Sequence, residues 1–96
     1  MDLNILRKLI KKIANEVKDK YNVEKVGVTY VEKAGGTDHY FVGFTYYMNE
    51  GFEPLGRIDR QHITADIVTL FKHVSNITLT TMSTSSMSKD RKNIDM

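Results

Sequence analysis

The segment His39–Met48 constrains the fold more than any other part of this sequence. Its polarity alternates with a period of two, and this period predicts a β-strand because successive side chains of a strand point to opposite faces. The even-numbered side is apolar throughout and the odd-numbered side is mixed, the two sets being Tyr40, Val42, Phe44, Tyr46 and Met48, and His39, Phe41, Gly43, Thr45 and Tyr47. A strand with aromatic rings on both sides requires cover on at least one of them. We therefore expect a layered domain in which other elements pack on the even-numbered side.

Two segments have the apolar spacing of amphipathic helices. The first covers residues 2–21, with Asp2 as a suitable N-cap, and the second begins near Asp59 and ends at Ser75 and Asn76. The apolar stripe of the first helix comprises Leu3, Leu6, Ile10, Ile13 and Val17, and that of the second comprises Ile63, Ile67, Leu70, Phe71 and Val74. Each stripe requires an apolar surface on which to pack, and the sheet offers one.

A second strand is predicted in Val23–Glu32, where β-branched residues are frequent and Val26, Val28 and Tyr30 share one side. The glycine pair within residues 34–38 suits the tight loop of a hairpin. This segment and the alternating strand therefore form an antiparallel pair.

A third strand is predicted over residues 77–83, so the order of elements is α-β-β-α-β. We expect an α+β fold with a three-stranded sheet and both amphipathic helices on one face. A right-handed crossover through the second helix places the third strand parallel to the second, either beside it or across the first strand. The domain then spans residues 1–83, and residues 84–96 form a polar tail with little apolar surface to order it.

Composition limits the class of protein. The chain has 96 residues and no cysteine, which indicates a single domain without disulfides, a thiolate nucleophile or cysteine-ligated metal. No apolar run approaches the roughly 18 residues that cross a bilayer. We therefore expect a cytoplasmic protein that does not enter the membrane.

Two helices cover only one face of such a sheet, so Phe41 and Tyr47 are expected on the open face, with His39 at its margin. Burying each ring would contribute about 1.5–3 kcal/mol. Three occupants can supply that burial: the tail folding back, a second copy that covers the face or extends the sheet at an edge, or bases stacking on the rings. We favour the second copy, and hence a homodimer.

A basic patch on the first helix suggests an alternative. Its members, on the side opposite the apolar stripe, are Arg7, Lys8, Lys11, Lys12 and Lys18. Such a patch is either a solvated surface or a contact for phosphates or an acidic protein. Nucleic-acid binding through this helix is therefore the alternative function.

The segment Tyr40–Phe44 resembles the aromatic strand of the RNA-recognition motif, within a similar order of helices and strands. The resemblance implies bases stacked on the sheet. That family places a basic residue and a glycine before this strand, where the present chain has Asp38 and His39, and the first strand of the family has no counterpart here. We do not assign the chain to that family.

No motif indicates catalysis. Asp59, His62 and Asp66 fall at i, i+3 and i+7 of the second helix and could approach one metal ion, but capping explains Asp59 and no second cluster supplies further ligands. The glycines match no phosphate-binding fingerprint. We therefore expect a protein without catalytic activity, cofactor or metal. The best interpretation is a small protein-interaction module that self-associates and occupies a partner protein's surface, as inhibitors and accessory proteins do.

Overall fold

The alternating strand is the central strand of the sheet. The computed structural model describes residues 2–89. In chain order its elements are helix α1 (Leu3–Val17), a short 3-10 helix (Lys18–Tyr21), strands β1 (Val23–Lys33) and β2 (His39–Met48), helix α2 (Arg57–Ser75) and strand β3 (Thr78–Met87). β2 pairs antiparallel with β1 and parallel with β3, in the order β1-β2-β3. The prediction of a small α+β domain with a three-stranded sheet and two helices is confirmed, and β3 lies beside β2.

The two helices begin with different caps. The Asp2 carboxylate accepts the backbone N–H groups of Asn4 (2.7 Å) and Ile5 (3.4 Å), so the predicted N-cap of α1 is confirmed. α2 begins earlier than predicted because Gly56 occupies its N-cap position. Asp59 therefore lies in the first turn, where a carboxylate is favourable beside the helix dipole.

The hydrophobic core combines the even-numbered side of β2 with buried residues of both helices. Its members are Leu6, Ile10, Ala14, Val23, Val26, Tyr40, Val42, Phe44, Tyr46, Met48, Ile63, Ile67, Phe71, Ile77 and Leu79. Tyr46 is fully buried, and its hydroxyl lies 2.5 Å from Oγ1 of Thr64 on α2. This pairing satisfies the one polar atom that the ring carries into the core.

β3 is longer than predicted, and its last residues correct the boundary of the tail. Residues 84–87 belong to this strand, although the sequence places them at the start of a polar tail. The Ser86 hydroxyl accepts the Leu55 N–H (2.8 Å) and donates to the Tyr46 carbonyl (3.1 Å). Hydrogen bonding rather than apolar burial therefore orders this part of the strand. Residues 90–96 of the predicted tail lie outside the described residues.

Gly43 tests how tightly the sheet is packed. A Cβ at this position would meet the Thr29 hydroxyl and would lie 2.8 Å from Cε1 of Tyr30 and 3.0 Å from Oγ of Ser83. We expect Gly43→Ala to lower the free energy of unfolding by about 1–3 kcal/mol, because these side chains must move. The matched control is Gly35→Ala, whose Cβ meets no atom within 4 Å. Urea denaturation of both variants measures the difference, and equal losses would contradict this account.

Because of Tyr46, we expect the fold to become less stable at alkaline pH. Burial raises the pKa of Tyr46 from 10.0 to about 12. The neutral phenol therefore stabilises the fold fully below about pH 10, and this contribution, about 2–3 kcal/mol, is lost as the pH rises toward 12. We expect the unfolding free energy to fall between pH 10 and 12, and Tyr46→Phe to flatten that decline.

The residual slope of that variant should come from Tyr21, because burial and the hydrogen bond to Asp66 raise the pKa of Tyr21 to about 12 as well. Urea denaturation across this pH range, on the wild type, on each single Phe variant and on the double variant, checks both statements. Identical slopes in all four proteins would refute them.

Candidate interaction surfaces

The side of the sheet opposite the core, called the outer face below, carries the odd-numbered residues of β2. Residues paired across strands share a face, and the register extends this one to Lys25, Gly27, Tyr30 and Glu32 of β1 and to Thr78, Thr80, Ser83, Ser85 and Met87 of β3. The residues predicted for the interaction face, His39, Phe41 and Tyr47, are all partly exposed, whereas every even-numbered residue of β2 is buried. The odd-numbered Gly43 and Thr45 are buried as well, so the two sides of β2 differ at its ends rather than at its middle.

Two tyrosine rings of the outer face lie over glycines of the neighbouring strand. The ring of Tyr47 lies over Gly27, since its Cε2 would be 3.2 Å from a Cβ there, and Tyr30 lies over Gly43 in the same way. The ammonium of Lys25 is 5.0 Å from the centre of the Tyr47 ring. Glycine has no Cβ, so each ring can approach the backbone of the neighbouring strand closely while staying on the outer face. The β1 half of the outer face is therefore a broad aromatic surface.

The β3 half of the outer face is polar and uncharged. His39 Nε2 lies 2.7 Å from Oγ1 of Thr80, and Oγ1 of Thr45 lies 3.0 Å from Oγ of Ser85. The His39 ring also packs against Phe41, with centroids 5.7 Å apart. These contacts give His39 a structural position between the aromatic and hydroxyl halves.

Tyr30 is the member of this surface that the sequence misses. Strict alternation places Tyr30 with Val26 and Val28, but a register shift between Val28 and Tyr30 moves its side chain to the side of Gly43. A bulge inserts one residue and so changes the face of everything beyond it. Hydropathy alone carries no signal for that change.

The basic patch is only partly available to a ligand. The Arg7 guanidinium donates a hydrogen bond to the Val28 carbonyl, and the Lys18 ammonium is 2.8 Å from the Asp19 carboxylate. The remaining cations, Lys8, Lys11 and Lys12, are exposed and form no ion pair with any residue from 2 to 89. Three of the five predicted members are therefore without an ion pair in the part of the chain that the structure describes.

The two edge strands of the sheet, β1 and β3, differ in how their outer backbone groups are protected. On β1, the Asn15 side chain accepts the Val26 N–H (3.0 Å) and donates to the Val26 carbonyl (3.3 Å), and Arg7 adds its bond to Val28. The helix α1 therefore seals this edge with side chains. Over the described part of the chain, β3 pairs with β2 alone, and its ten residues include no charge and no proline. Charges, prolines and bulges are usual protections of an edge strand, and of these β3 has only the bulge at Met82.

Two of the three residues considered for a metal site, Asp59 in the first turn of α2 and Asp66, have other roles. The Asp66 carboxylate accepts the Tyr21 hydroxyl (2.6 Å) and lies 2.9 Å from the Lys20 ammonium, and these hydrogen bonds lower the pKa of Asp66. Among residues 2–89, no three histidine or acidic side chains are grouped as a metal site requires. Asp66 thus links α2 to the short 3-10 helix that follows α1.

Comparisons with family models, with curated proteins and with solved structures found no match for this chain. Within the described residues, neither helix has the length and apolar character needed to cross a membrane. A function for this chain is therefore inferred from the surfaces described above.

Asn15 provides a test of the sealed edge. We expect Asn15→Ala to lower the free energy of unfolding by about 1–3 kcal/mol, because the N–H and carbonyl of Val26 lose their partner. Asn4→Ala is the matched control, since the Asn4 side chain is exposed on the same helix, and its effect should stay within about 0.5 kcal/mol. Thermal or urea denaturation measures both variants, and equal effects would show that the edge needs no seal.

Proposed function

We propose that this chain is a non-enzymatic protein-interaction module that self-associates through the outer face and acts by occupying a partner protein's surface. The observation that carries the proposal is the aromatic half of that face, where Tyr30, Phe41 and Tyr47 are partly exposed. Both helices contribute their buried residues to the core on the even-numbered side of β2. We infer that both lie on that side, as the sequence predicts, so the helices leave the rings of the outer face uncovered for a second copy to bury.

Charge favours a second copy as the occupant. The outer face carries Lys25 beside Tyr47 at one end and Glu32 beside Phe41 at the other. In a twofold dimer whose β2 strands run in opposite directions, the Lys25 end of one copy meets the Glu32 end of the other. An aromatic centre with a charged rim is also the usual composition of a protein interface. The face is therefore complementary to itself.

Nucleic-acid binding through the basic patch ranks second. Arg7 and Lys18 are held by contacts within the chain, so only Lys8, Lys11 and Lys12 would meet phosphates. Fewer phosphate contacts mean weaker binding at physiological salt. The outer face offers the larger organised surface, and it supports the protein-interaction function better.

The double variant Phe41→Ala with Tyr47→Ala tests self-association. We expect the wild type to dimerise at tens of micromolar in sedimentation velocity, and the double variant to raise the dissociation constant at least about thirtyfold, because two anchor rings are lost. The control is Phe52→Ala, which removes an exposed ring from the loop after β2. Circular dichroism confirms that the variants fold. A monomeric wild type, or a double variant that associates like the wild type, would refute the proposal.

A charge exchange tests the orientation of the dimer. Lys25→Glu and Glu32→Lys should each weaken self-association, because each places like charges at both ends of the interface. An equimolar mixture of the two variants should restore dimerisation, since every contact then pairs opposite charges. Association that stays weak in the mixture would rule out the antiparallel arrangement.

A further inference from the structure

A groove of about 510 Å³ lies between α2 and β3, and of its lining residues Ser83 also belongs to the outer face. Ala65 and Val68 of α2 form its apolar wall, and Thr81 and Met82 of β3 form the opposite wall. The groove is lined by one side of α2. Asp66, which contacts Tyr21 of the 3-10 helix, lies on a different side of α2. The groove therefore opens along the outer edge of β3, the edge that no strand pairs with in residues 2–89.

The charge of the groove has one sign. Arg57 and Arg60 line it, and no acidic residue within the described range 2–89 does. Arg60 is held in place by bonds from Nε to the Thr84 hydroxyl (3.1 Å) and from a terminal nitrogen to the Leu55 carbonyl (2.9 Å), which leave other N–H groups of its guanidinium for a ligand. Arg57 is exposed and has no ion pair among the described residues. The groove is therefore suited to carboxylates.

β3 contributes an unpaired polar atom and a flexible side chain to the groove. The Thr81 hydroxyl is buried and has no hydrogen-bond partner among the described residues, and Thr81 lines the groove. Met82 is 57% exposed at the register shift between Thr81 and Ser83. A flexible methionine beside an open strand edge accommodates different side chains of a ligand. The groove therefore combines a strand edge without a partner in residues 2–89, apolar side chains and two arginines.

We propose that this groove binds an extended acidic segment of a partner protein, which adds to β3 as a further strand of the sheet. Its backbone pairs with the outer edge of β3, every second side chain enters the groove, and its carboxylates meet Arg57 and Arg60. Apart from Ser83, the lining residues lie outside the outer face, so the site does not depend on burial of the aromatic rings. It supplies a binding mode for the partner protein that the outer face leaves unspecified.

Fluorescence anisotropy with a labelled seven-residue peptide of alternating valine and glutamate tests the site. We expect saturable binding, at least about tenfold weaker for the same peptide with lysine in place of glutamate and for the variant Arg57→Glu. Lys8→Glu is the matched control, because it makes the same change of charge on an exposed residue of α1, and it should leave the affinity unchanged. Equal binding of both peptides, an Arg57→Glu variant that binds like the wild type, or no binding would overturn the proposal.

Methylation of peptide nitrogens tests the strand addition. Successive N–H groups of a strand point to opposite sides, so N-methylation of one alternating set should abolish binding and N-methylation of the other set should preserve it. Equal effects of the two sets would refute pairing with β3.

Two further readouts separate this site from its competitors. The double variant Phe41→Ala with Tyr47→Ala should bind the peptide like the wild type, even where its dimer is lost. Dissociation of the wild-type dimer on addition of peptide would mean that a second copy already occupies the edge of β3, and it would overturn the proposal.

Discussion

The burial of the even-numbered side of β2 is the constraint on which the rest of the structure depends. Five consecutive even positions, from Tyr40 to Met48, are at most 4% exposed. Because the side-chain period of a strand is two, fixing these residues in the core also fixes Phe41 and Tyr47 on the outer face. The aromatic surface is thus a direct consequence of how the core is built.

The position of α1 determines which edge of the sheet remains open. Its apolar stripe packs into the core except for Leu3, which is exposed, and the side chains of Asn15 and Arg7 bond the backbone of β1 at its edge. The crossover through α2 then places β3 on the far side of β2, parallel to it. No comparable side chain bonds the β3 backbone within the described residues. The difference between the two edges therefore arises from the order of elements along the chain.

The sequence predicts the features that depend on local pattern. The bounds of β2 and the cap at Asp2 follow from alternation and from the chemistry of one carboxylate, and the structure agrees with both. The features it misses depend on contacts between distant segments. Ser86 is ordered by Leu55 and Tyr46, which no property of a serine-rich segment indicates.

The residues of the candidate site divide in the same way, into those predicted by local pattern and those placed by contacts between distant segments. Phe41 and Tyr47 are placed by alternation alone, whereas Tyr30 reaches the outer face only through a bulge in β1. Arg7 belongs to the basic patch by its spacing on the helix, yet its guanidinium bonds a carbonyl of β1. A cation on a helix surface and a cation that holds a strand edge have the same sequence signature, so only the fold distinguishes them. The groove beside β3 has no local pattern at all, since residues of α2 and β3 form it together.

The separation of the two proposed surfaces has a consequence for affinity. A dimer formed through the outer face leaves both β3 edges and both grooves free, one on each copy. Two acidic segments of one partner can then bind the same dimer, and the second binds at the high effective concentration set by the length of chain between them. Strand addition of a short segment is weak by itself, because ordering an extended peptide opposes binding. Self-association would convert two such weak sites into one strong site, and it would give the proposed dimer a role in binding beyond covering Phe41 and Tyr47.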